Sequence, residues 1–308
     1  MLSVIIPAYN EETCIKRAYN AIHTLLKEAN IDGEFIFVDD GSQDQTYKMI
    51  KELSSEKENI VGLHFSRNFG KESAISAGLA AVSGDCAVVI DCDLQHPPEK
   101  IIEMYRLWEQ GYEIVEGIKK ERGQEKKMHS ISVKIFYSVI SRMAGFDMSN
   151  SSDFKLLDRK VVDVLNKMPE RGFFRAISYW VGYNKATVEY DVRERVDGKS
   201  KWSTSGLVKY ALSNISSYST APMQTVTVLG FVMLIISVIF GVWALIDKIS
   251  GRALEGMTTV IIITIFIGSI IMISLGIIGY YIARIYEEIK GRPKYIISST
   301  IRSAEKEI

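Results

Sequence analysis

From Tyr210 to Ile246, and again from Met257 to Ala283, the chain carries no charged side chain. Roughly 20 apolar residues cross the hydrocarbon core of a bilayer, whereas a buried core helix of a soluble domain is usually shorter. The two runs therefore predict two transmembrane helices, about Met223 to Ile246 and Met257 to Ala283, joined by the short linker Asp247 to Gly256. The flanks 193–209 and 284–302 each carry five Lys or Arg, and the linker carries two. The positive-inside rule then places both termini in the cytoplasm and the linker outside. No ionisable residue interrupts either run, which predicts anchors and not an ion path. Ahead of Pro222, Leu207, Val208, Ala211, Leu212, Ile215 and Tyr218 recur at helical spacing, the pattern of an amphipathic helix lying in the interface. Lys290, Arg292 and Lys294 suit anionic headgroups. Gly230, Gly241, Gly268, Gly276 and Gly279 offer close-packing faces to a neighbouring helix or a second copy of the chain.

Before residue 206 the composition is that of an ordinary globular domain. Across all 308 residues Lys plus Arg equals Asp plus Glu at 37 each, so no basic excess points to nucleic acid. Cys14, Cys86 and Cys92 are odd in number and lack metal-site spacing, which reads as reduced thiols. Met1 to Ile6 runs straight into Pro7, too short a stretch for the apolar core of a signal peptide.

Strand and helix patterns alternate along this part. Predicted strands are Ser3 to Pro7, Glu34 to Val38, Ile60 to Phe65, Asp85 to Ile90, Tyr112 to Gly117 and Lys185 to Val192. Predicted helices follow Asn10, the Asp39–Ser42 turn and Lys71, and cover Pro98 to Gln110 and the stretch from about Asp158. Such alternation is the signature of a doubly wound sheet. Asn10 is a candidate N-cap of the first helix, and Ser42 or Asp44 of the second. Residues 72–83 are rich in small side chains, leaving room for close packing. His64, alternating with apolar neighbours, reads as structural.

The acids gather where strands end. Val88-Val-Ile90 runs into Asp91-Cys-Asp-Leu-Gln-His-Pro-Pro98, and Glu34 to Val38 runs into Asp39-Asp-Gly-Ser42. Ligands of open α/β sheets bind beyond the carboxyl ends of strands. Asp91, Asp93 and Gln95 are hard oxygen donors suited to Mg²⁺ or Mn²⁺, which usually arrive with phosphates. Cys92 between them reads as a small filler, with a thiolate ligand as the alternative. No Gly-x-Gly-x-x-Gly follows the first strand, so a dehydrogenase-type dinucleotide site is disfavoured and a sugar nucleotide is indicated. Arg67 and Lys71 are cations at the same rim, read by themselves as solvated surface charges.

Ser3-Val-Ile-Ile-Pro-Ala-Tyr-Asn-Glu11, Val38-Asp-Asp-Gly-Ser42, Arg67-Asn-Phe-Gly-Lys-Glu72 and Asp91-Cys-Asp-Leu-Gln-His-Pro-Pro98 together resemble family 2 glycosyltransferases of the polyprenyl-phosphate branch. That branch holds dolichol-phosphate mannose synthase and the bacterial bactoprenol glucosyltransferases. The resemblance spans nearly the whole chain, and it implies an α/β GT-A-type doubly wound mixed sheet. It divides the chain into a cytoplasmic domain (1–205), an interfacial amphipathic helix (206–221), two transmembrane helices (222–284) and a cytoplasmic tail (285–308). The implied reaction is inverting, metal-dependent transfer of a hexose or N-acetylhexosamine from a UDP-sugar to undecaprenyl phosphate at the cytoplasmic face of the cell membrane. Glucose and N-acetylglucosamine are the favoured sugars, and Mg²⁺ or Mn²⁺ is the implied cofactor.

The resemblance also assigns roles. Pro7, Tyr9 and Glu11 line the donor nucleotide, Asp39 and Asp40 lie near base and ribose, and Lys71 and Asp91 contact the nucleotide side. Asp91, Asp93 and Gln95 hold the metal. Lys119, Lys126, Lys127, Ser130 and Arg175 meet the acceptor phosphate. Asp153 is the acceptor-side catalytic carboxylate, orienting the acceptor or stabilising charge on the sugar, because a phosphate acceptor is already ionised at pH 7. Arg195, Gly198, Ser200 and Lys201 match a mobile loop that closes over the diphosphate. A polysaccharide synthase is a weaker alternative, because Glu170-Arg-Gly-Phe-Phe-Arg175 lacks the expected Gln-x-x-Arg-Trp signature. A nucleotide-binding membrane scaffold is disfavoured by Asp91, Asp93, Gln95 and Asp153 occurring together.

Overall fold

The structure is a computed structural model. It describes residues 1–120, 152–168, 174–191 and 256–303, together with scattered residues between 230 and 250. Two compact units result, one of Met1–Ser203 with Pro293–Ile308 and one of Thr204–Arg292.

The first unit is built on an eight-stranded sheet. Strands β1 (Leu2–Ala8), β2 (Gly33–Asp39), β3 (Ile60–Phe65) and β4 (Cys86–Val89) run parallel, with β1 between β2 and β4. Every residue of β1 is buried, as the apolar run Val4-Ile-Ile6 requires of a strand covered on both faces. Strand β5 (Ile114–Lys119) and strand β7 (Lys185–Tyr190) pair in parallel, and β6 (Lys155–Asp158) lies antiparallel between β4 and β5. The eighth strand, β8 (Ile297–Arg302), pairs antiparallel with β3 and closes that edge, giving the order β7-β5-β6-β4-β1-β2-β3-β8. The sheet is mixed, with the GT-A-like layout expected.

Helices cover both faces. On one, α1 (Ile15–Glu28), α2 (Thr46–Glu56) and α4 (Lys100–Glu109) bury Ile15, Ile22, Leu26, Ile50, Leu53, Ile101 and Met104 against Val4, Ile6, Phe35 and Val88. On the other, α3 (Lys71–Ala80), α5 (Arg159–Lys167) and α6 (Phe174–Trp180) bury Ala74, Ile75, Val161, Val162, Leu165 and Phe174 against Ile5, Ile36, Val38 and Val89. The small-residue character of α3 has a visible purpose. A Cβ on Gly78 would lie 2.3 Å from Ile5 Cγ2, so the helix sits on β1 only because Gly78 has none.

Some local expectations are corrected. Asn10 does not cap α1, whose N-cap is Cys14. Asn10 instead takes φ 54° and ties the first strand-end turn to the second, donating its N–H to Ser42 Oγ and accepting from Gln43 N–H, both at 2.9 Å. Ser42 is thereby used away from any cap. Nor is Asp44 the N-cap of α2, which is Gln45; Asp44 precedes it and its carboxylate accepts from the Thr46 N–H at 2.9 Å. Strand β6 was not expected, nor was β8 in the stretch read as a tail. At the start of α5, Asp158 is the N-cap and accepts from Lys160 N–H.

In the second unit, helix α7 (Met257–Ile289) contains Phe266–Ala283, a stretch of mean hydropathy 2.0 that is long and apolar enough to cross a membrane. The interfacial segment 206–221 lies outside the described residues, and so does most of the first expected span.

Candidate active site

Beyond the carboxyl ends of β1, β2, β3 and β4 the chain makes four turns that interlock. In the turn after β2, Asp39 is fully buried. It accepts from the Ser42 N–H at 3.1 Å and meets His64 Nδ1 at 2.6 Å. Tyr47 stacks on His64 with centroids 4.3 Å apart, so the structural reading of His64 acquires a specific content: it holds Asp39. Asp40 accepts from the N–H groups of Phe69 (2.6 Å) and Gly70 (2.9 Å), which pins the loop after β3. Burial raises the Asp40 pKa, and these two amides oppose the rise. Gly41 takes φ +66°, and a Cβ there would stand 2.3 Å from the Arg67 carbonyl carbon. Only glycine lets the two turns touch.

The turn after β4 presents the expected oxygen set. Gln95 N–H donates to Asp93 Oδ1 at 3.1 Å, and Leu94 adopts φ 55°, a left-handed conformation rare for a branched apolar residue. Such strain costs on the order of 1 kcal/mol and concentrates at functional turns. Asp91, Asp93 and Gln95 are all half-buried. Cys92 is buried in the core, and burial drives its thiol pKa well up, so it is a neutral filler and no thiolate ligand. The donors offered are therefore oxygens alone, the set a hard divalent cation takes. Among the described residues no three His, Cys, Asp or Glu side chains cluster as a cation site.

The centre of the site is an ion array joining this turn to β6. Lys71 Nζ, at the start of α3, lies 2.6 Å from Asp91 Oδ1 and 2.8 Å from Asp153 Oδ2. Arg175 of α6 grips Asp153 with two donors, Nε at 2.7 Å and Nη2 at 3.0 Å. Burial alone would raise the Asp153 pKa, but Lys71 and Arg175 outweigh it and hold the carboxyl well below the usual carboxylate range. Burial would lower the Lys71 pKa, and Asp91 and Asp153 reverse that and raise it. Arg67, by contrast, is exposed and lies 4.6 Å over the Phe69 ring.

Behind the array stands a second pair that the sequence did not announce. Lys155, 1% exposed, contacts Glu116 Oε1 at 3.0 Å and Ser178 Oγ at 2.9 Å. The Ser152 N–H also donates to Glu116 at 3.2 Å, so the pair fixes the peptide next to Asp153. His96 is packed against Phe154 and Tyr190, its Nδ1 3.9 Å from Asp91 Oδ2, and burial lowers its pKa, so the ring is neutral at pH 7.

Of the remaining expected residues, Pro7 is buried at the end of β1, and Tyr9 and Glu11 are half-buried in the turn after it. The Glu11 N–H donates to Thr46 Oγ1 at 2.8 Å. Lys119 is exposed at the end of β5. Lys126, Lys127, Ser130, Arg195, Gly198, Ser200 and Lys201 lie outside the described residues.

The glycosyl transferase family 2 model matches residues 3–165, which runs from β1 into α5 and includes the acidic turns after β2 and β4. An uncharacterized glycosyltransferase of Synechocystis sp. is 37% identical over 300 residues, covering 96% of this chain and 94% of its own. A prophage-derived bactoprenol glucosyl transferase of Shigella flexneri is 35% identical over 304 residues, covering 98% of each chain. Among solved structures, glucosyl-3-phosphoglycerate synthase from Mycobacterium tuberculosis, in complex with Mn²⁺, UDP and phosphoglyceric acid, superposes with a TM-score of 0.51. It is 20% identical and covers 70% of this chain and 76% of its own, a likeness of fold. The matched region, the relatives' coverage and the turns at the strand ends agree: the chain belongs to glycosyl transferase family 2 and is a glycosyltransferase enzyme.

Proposed function

We propose that the enzyme transfers a hexose or N-acetylhexosamine, with glucose or N-acetylglucosamine favoured, from a UDP-sugar to undecaprenyl phosphate, inverting the anomeric carbon. The observation that carries this reading is the position of Asp153, held ionised by Lys71 and Arg175 and linked through Lys71 to Asp91 at the metal-side turn. One end of the sheet thus offers a donor half and an acceptor half within a single ion array.

Asp93, Gln95 and Asp91 would hold Mg²⁺ or Mn²⁺, which supplies Lewis-acid stabilisation of the departing nucleoside diphosphate. Pro7, Tyr9, Glu11, Asp39 and Asp40 belong to the turns that would receive the nucleotide. A carboxylate with a pKa as depressed as that of Asp153 is a poor proton acceptor. It therefore serves by orienting the acceptor and by its negative charge beside the developing oxocarbenium ion. The acceptor phosphate needs no general base, and Arg175, seated on Asp153, would bring its positive charge to the acceptor side. Lys119, Lys126, Lys127 and Ser130 would complete that phosphate site, and Arg195, Ser200 and Lys201 the loop over the diphosphate.

Composition supports placement at a membrane, and chain connectivity then bears on the number of crossings. The chain leaves the first unit after Ser203 and rejoins it at Pro293. A domain on one side of a bilayer requires an even number of crossings between those points. Helix α7 supplies one, and the uncharged run Tyr210–Ile246 supports a second. This reading puts the catalytic domain and both termini in the cytoplasm, in a two-span membrane enzyme.

Detergent-purified protein offered undecaprenyl phosphate with UDP-glucose, UDP-galactose or UDP-N-acetylglucosamine tests the proposal. An organic-soluble sugar-lipid formed with Mn²⁺ and abolished by EDTA is expected with one donor. A water-soluble polymer, or no product with any donor, contradicts it.

A further inference from the structure

Lys71 and Glu72 are neighbours in the first turn of α3, yet only Lys71 has a place in the transfer site described above. Glu72 reaches the start of α6 at the edge of the same ion array. Its Oε2 accepts the backbone N–H of Phe174 at 2.8 Å. Phe174 is the first residue of α6, and the next residue, Arg175, forks onto Asp153. At the other end of the same short helix, Ser178 Oγ donates to the Arg175 carbonyl at 3.0 Å and accepts from Lys155 Nζ at 2.9 Å. The peptide units around Arg175 are therefore held from two sides, by Glu72 at the N–H of the residue before it and by Ser178 at its own carbonyl.

This arrangement is costly for Glu72 itself. Burial and the nearby Asp153 carboxylate raise its pKa to about 7, against the opposing pull of the Phe174 amide, Lys71 and Arg175. An acidic side chain kept beside another carboxylate needs compensation, and the backbone bond to the helix that carries Arg175 contributes to it. A glutamine of equal length would accept the same bond without the repulsion.

We infer that Glu72 is a positioning residue for transfer: by gripping the Phe174 amide it sets the register of α6, and through it the seat of Arg175 on Asp153. The inference rests on the reading of Asp153 and Arg175 as acceptor-side groups. The geometric demand at such sites is steep, since a displacement of about 1 Å costs about 100-fold in rate.

The test compares Glu72→Ala and Glu72→Gln in the full-length enzyme. Glu72→Ala is expected to lower kcat about 10- to 100-fold, with the KM for the UDP-sugar within about threefold of wild type, because the donor turns are untouched. Glu72→Gln is expected to restore kcat to within about threefold, because its amide oxygen accepts the Phe174 N–H. Amide hydrogen exchange gives a readout independent of turnover: residues 174–180 should exchange faster in Glu72→Ala and at the wild-type rate in Glu72→Gln. Equal kcat in wild type and Glu72→Ala overturns the inference, as does a Glu72→Gln enzyme as slow as Glu72→Ala. If wild type itself makes no sugar-lipid, the proposed function fails, and unchanged exchange at 174–180 in Glu72→Ala would then separately overturn the positioning role.

Discussion

At the scale of single residues the site is a problem in charge compensation. Asp153 is buried, and an unpaired buried carboxylate would be expelled or protonated. Lys71 and Arg175 prevent both. The sign of the pH effect follows. A carboxyl whose folded pKa lies below its unfolded value contributes stability above the unfolded value and loses it as pH falls through the folded one. Asp153→Asn should therefore lower the melting temperature at pH 7, and the gap to wild type should narrow below about pH 4, where unfolded carboxyls titrate. Thermal scans from pH 7 down to pH 3 check this, and a gap independent of pH would contradict it. The hydrogen bonds of Asp39 and Asp40 explain a puzzle in the sequence, where one acid at a strand end would have sufficed. Asp39 binds its own turn and His64, and Asp40 binds the loop after β3, so the pair stitches two turns together. Both acids were visible in the sequence. Their partners were not, because backbone amides leave no trace in a string of side chains.

At the scale of elements, α3 and β8 matter most. The close seat of α3 on β1 predicts that Gly78→Ala costs about 1–3 kcal/mol, the range of overpacked cores, measurable by thermal or denaturant unfolding. Strand β8 is held by more than its ladder. Tyr295 stacks on Phe65 with centroids 5.1 Å apart, Tyr47 Oη donates to Ser299 Oγ at 2.6 Å, and Ser303 Oγ accepts from Ile60 N–H at 2.9 Å. Tyr295→Ala should cost about 1–3 kcal/mol from lost apolar burial and ring contact. An unchanged unfolding midpoint would mean that β8 is an ornament on the edge. The parallel strands were legible because burial on both faces makes them continuous apolar runs. Two strands were not. Strand β6 carries Lys155 inside only four residues, and that charge is neutral to the core only because Glu116 lies opposite. Strand β8, Ile297-Ser-Ser-Thr-Ile-Arg302, is an edge strand with polar residues, and its partner β3 lies more than 230 residues earlier. In the acidic turns the residue types were readable from strand-end position. Glu72, Glu116, Lys155 and His96 were hidden because their importance lies in partners distant along the chain.

At the scale of the whole molecule, the unit that carries the sheet takes its last strand from beyond the second unit, because Pro293–Ile308 belongs with Met1–Ser203. Helix α7, with 33 residues, is about 50 Å long, against a hydrocarbon core of about 30 Å. The proposed topology makes a direct prediction. The native thiols Cys14, Cys86 and Cys92 are buried, so a cysteine introduced by Ser250→Cys in the linker is the reactive one in intact cells. A membrane-impermeant maleimide should label it from outside. Labelling only after the membrane is opened would place the linker inside and reverse the orientation.

The proposed transfer divides labour at one end of the sheet, with Asp93 serving the metal and donor and Asp153 the acceptor. The most direct measurement pairs Mn²⁺-dependent UDP binding by calorimetry with sugar transfer to undecaprenyl phosphate, in wild type, Asp93→Asn and Asp153→Asn. The prediction is that Asp93→Asn loses Mn²⁺-dependent UDP binding and transfer together. Asp153→Asn should bind UDP within about threefold of wild type while transfer falls at least about 100-fold, the scale of losing one electrostatic stabiliser. Wild-type transfer by Asp153→Asn, or unimpaired Mn²⁺-dependent UDP binding by Asp93→Asn, would contradict it.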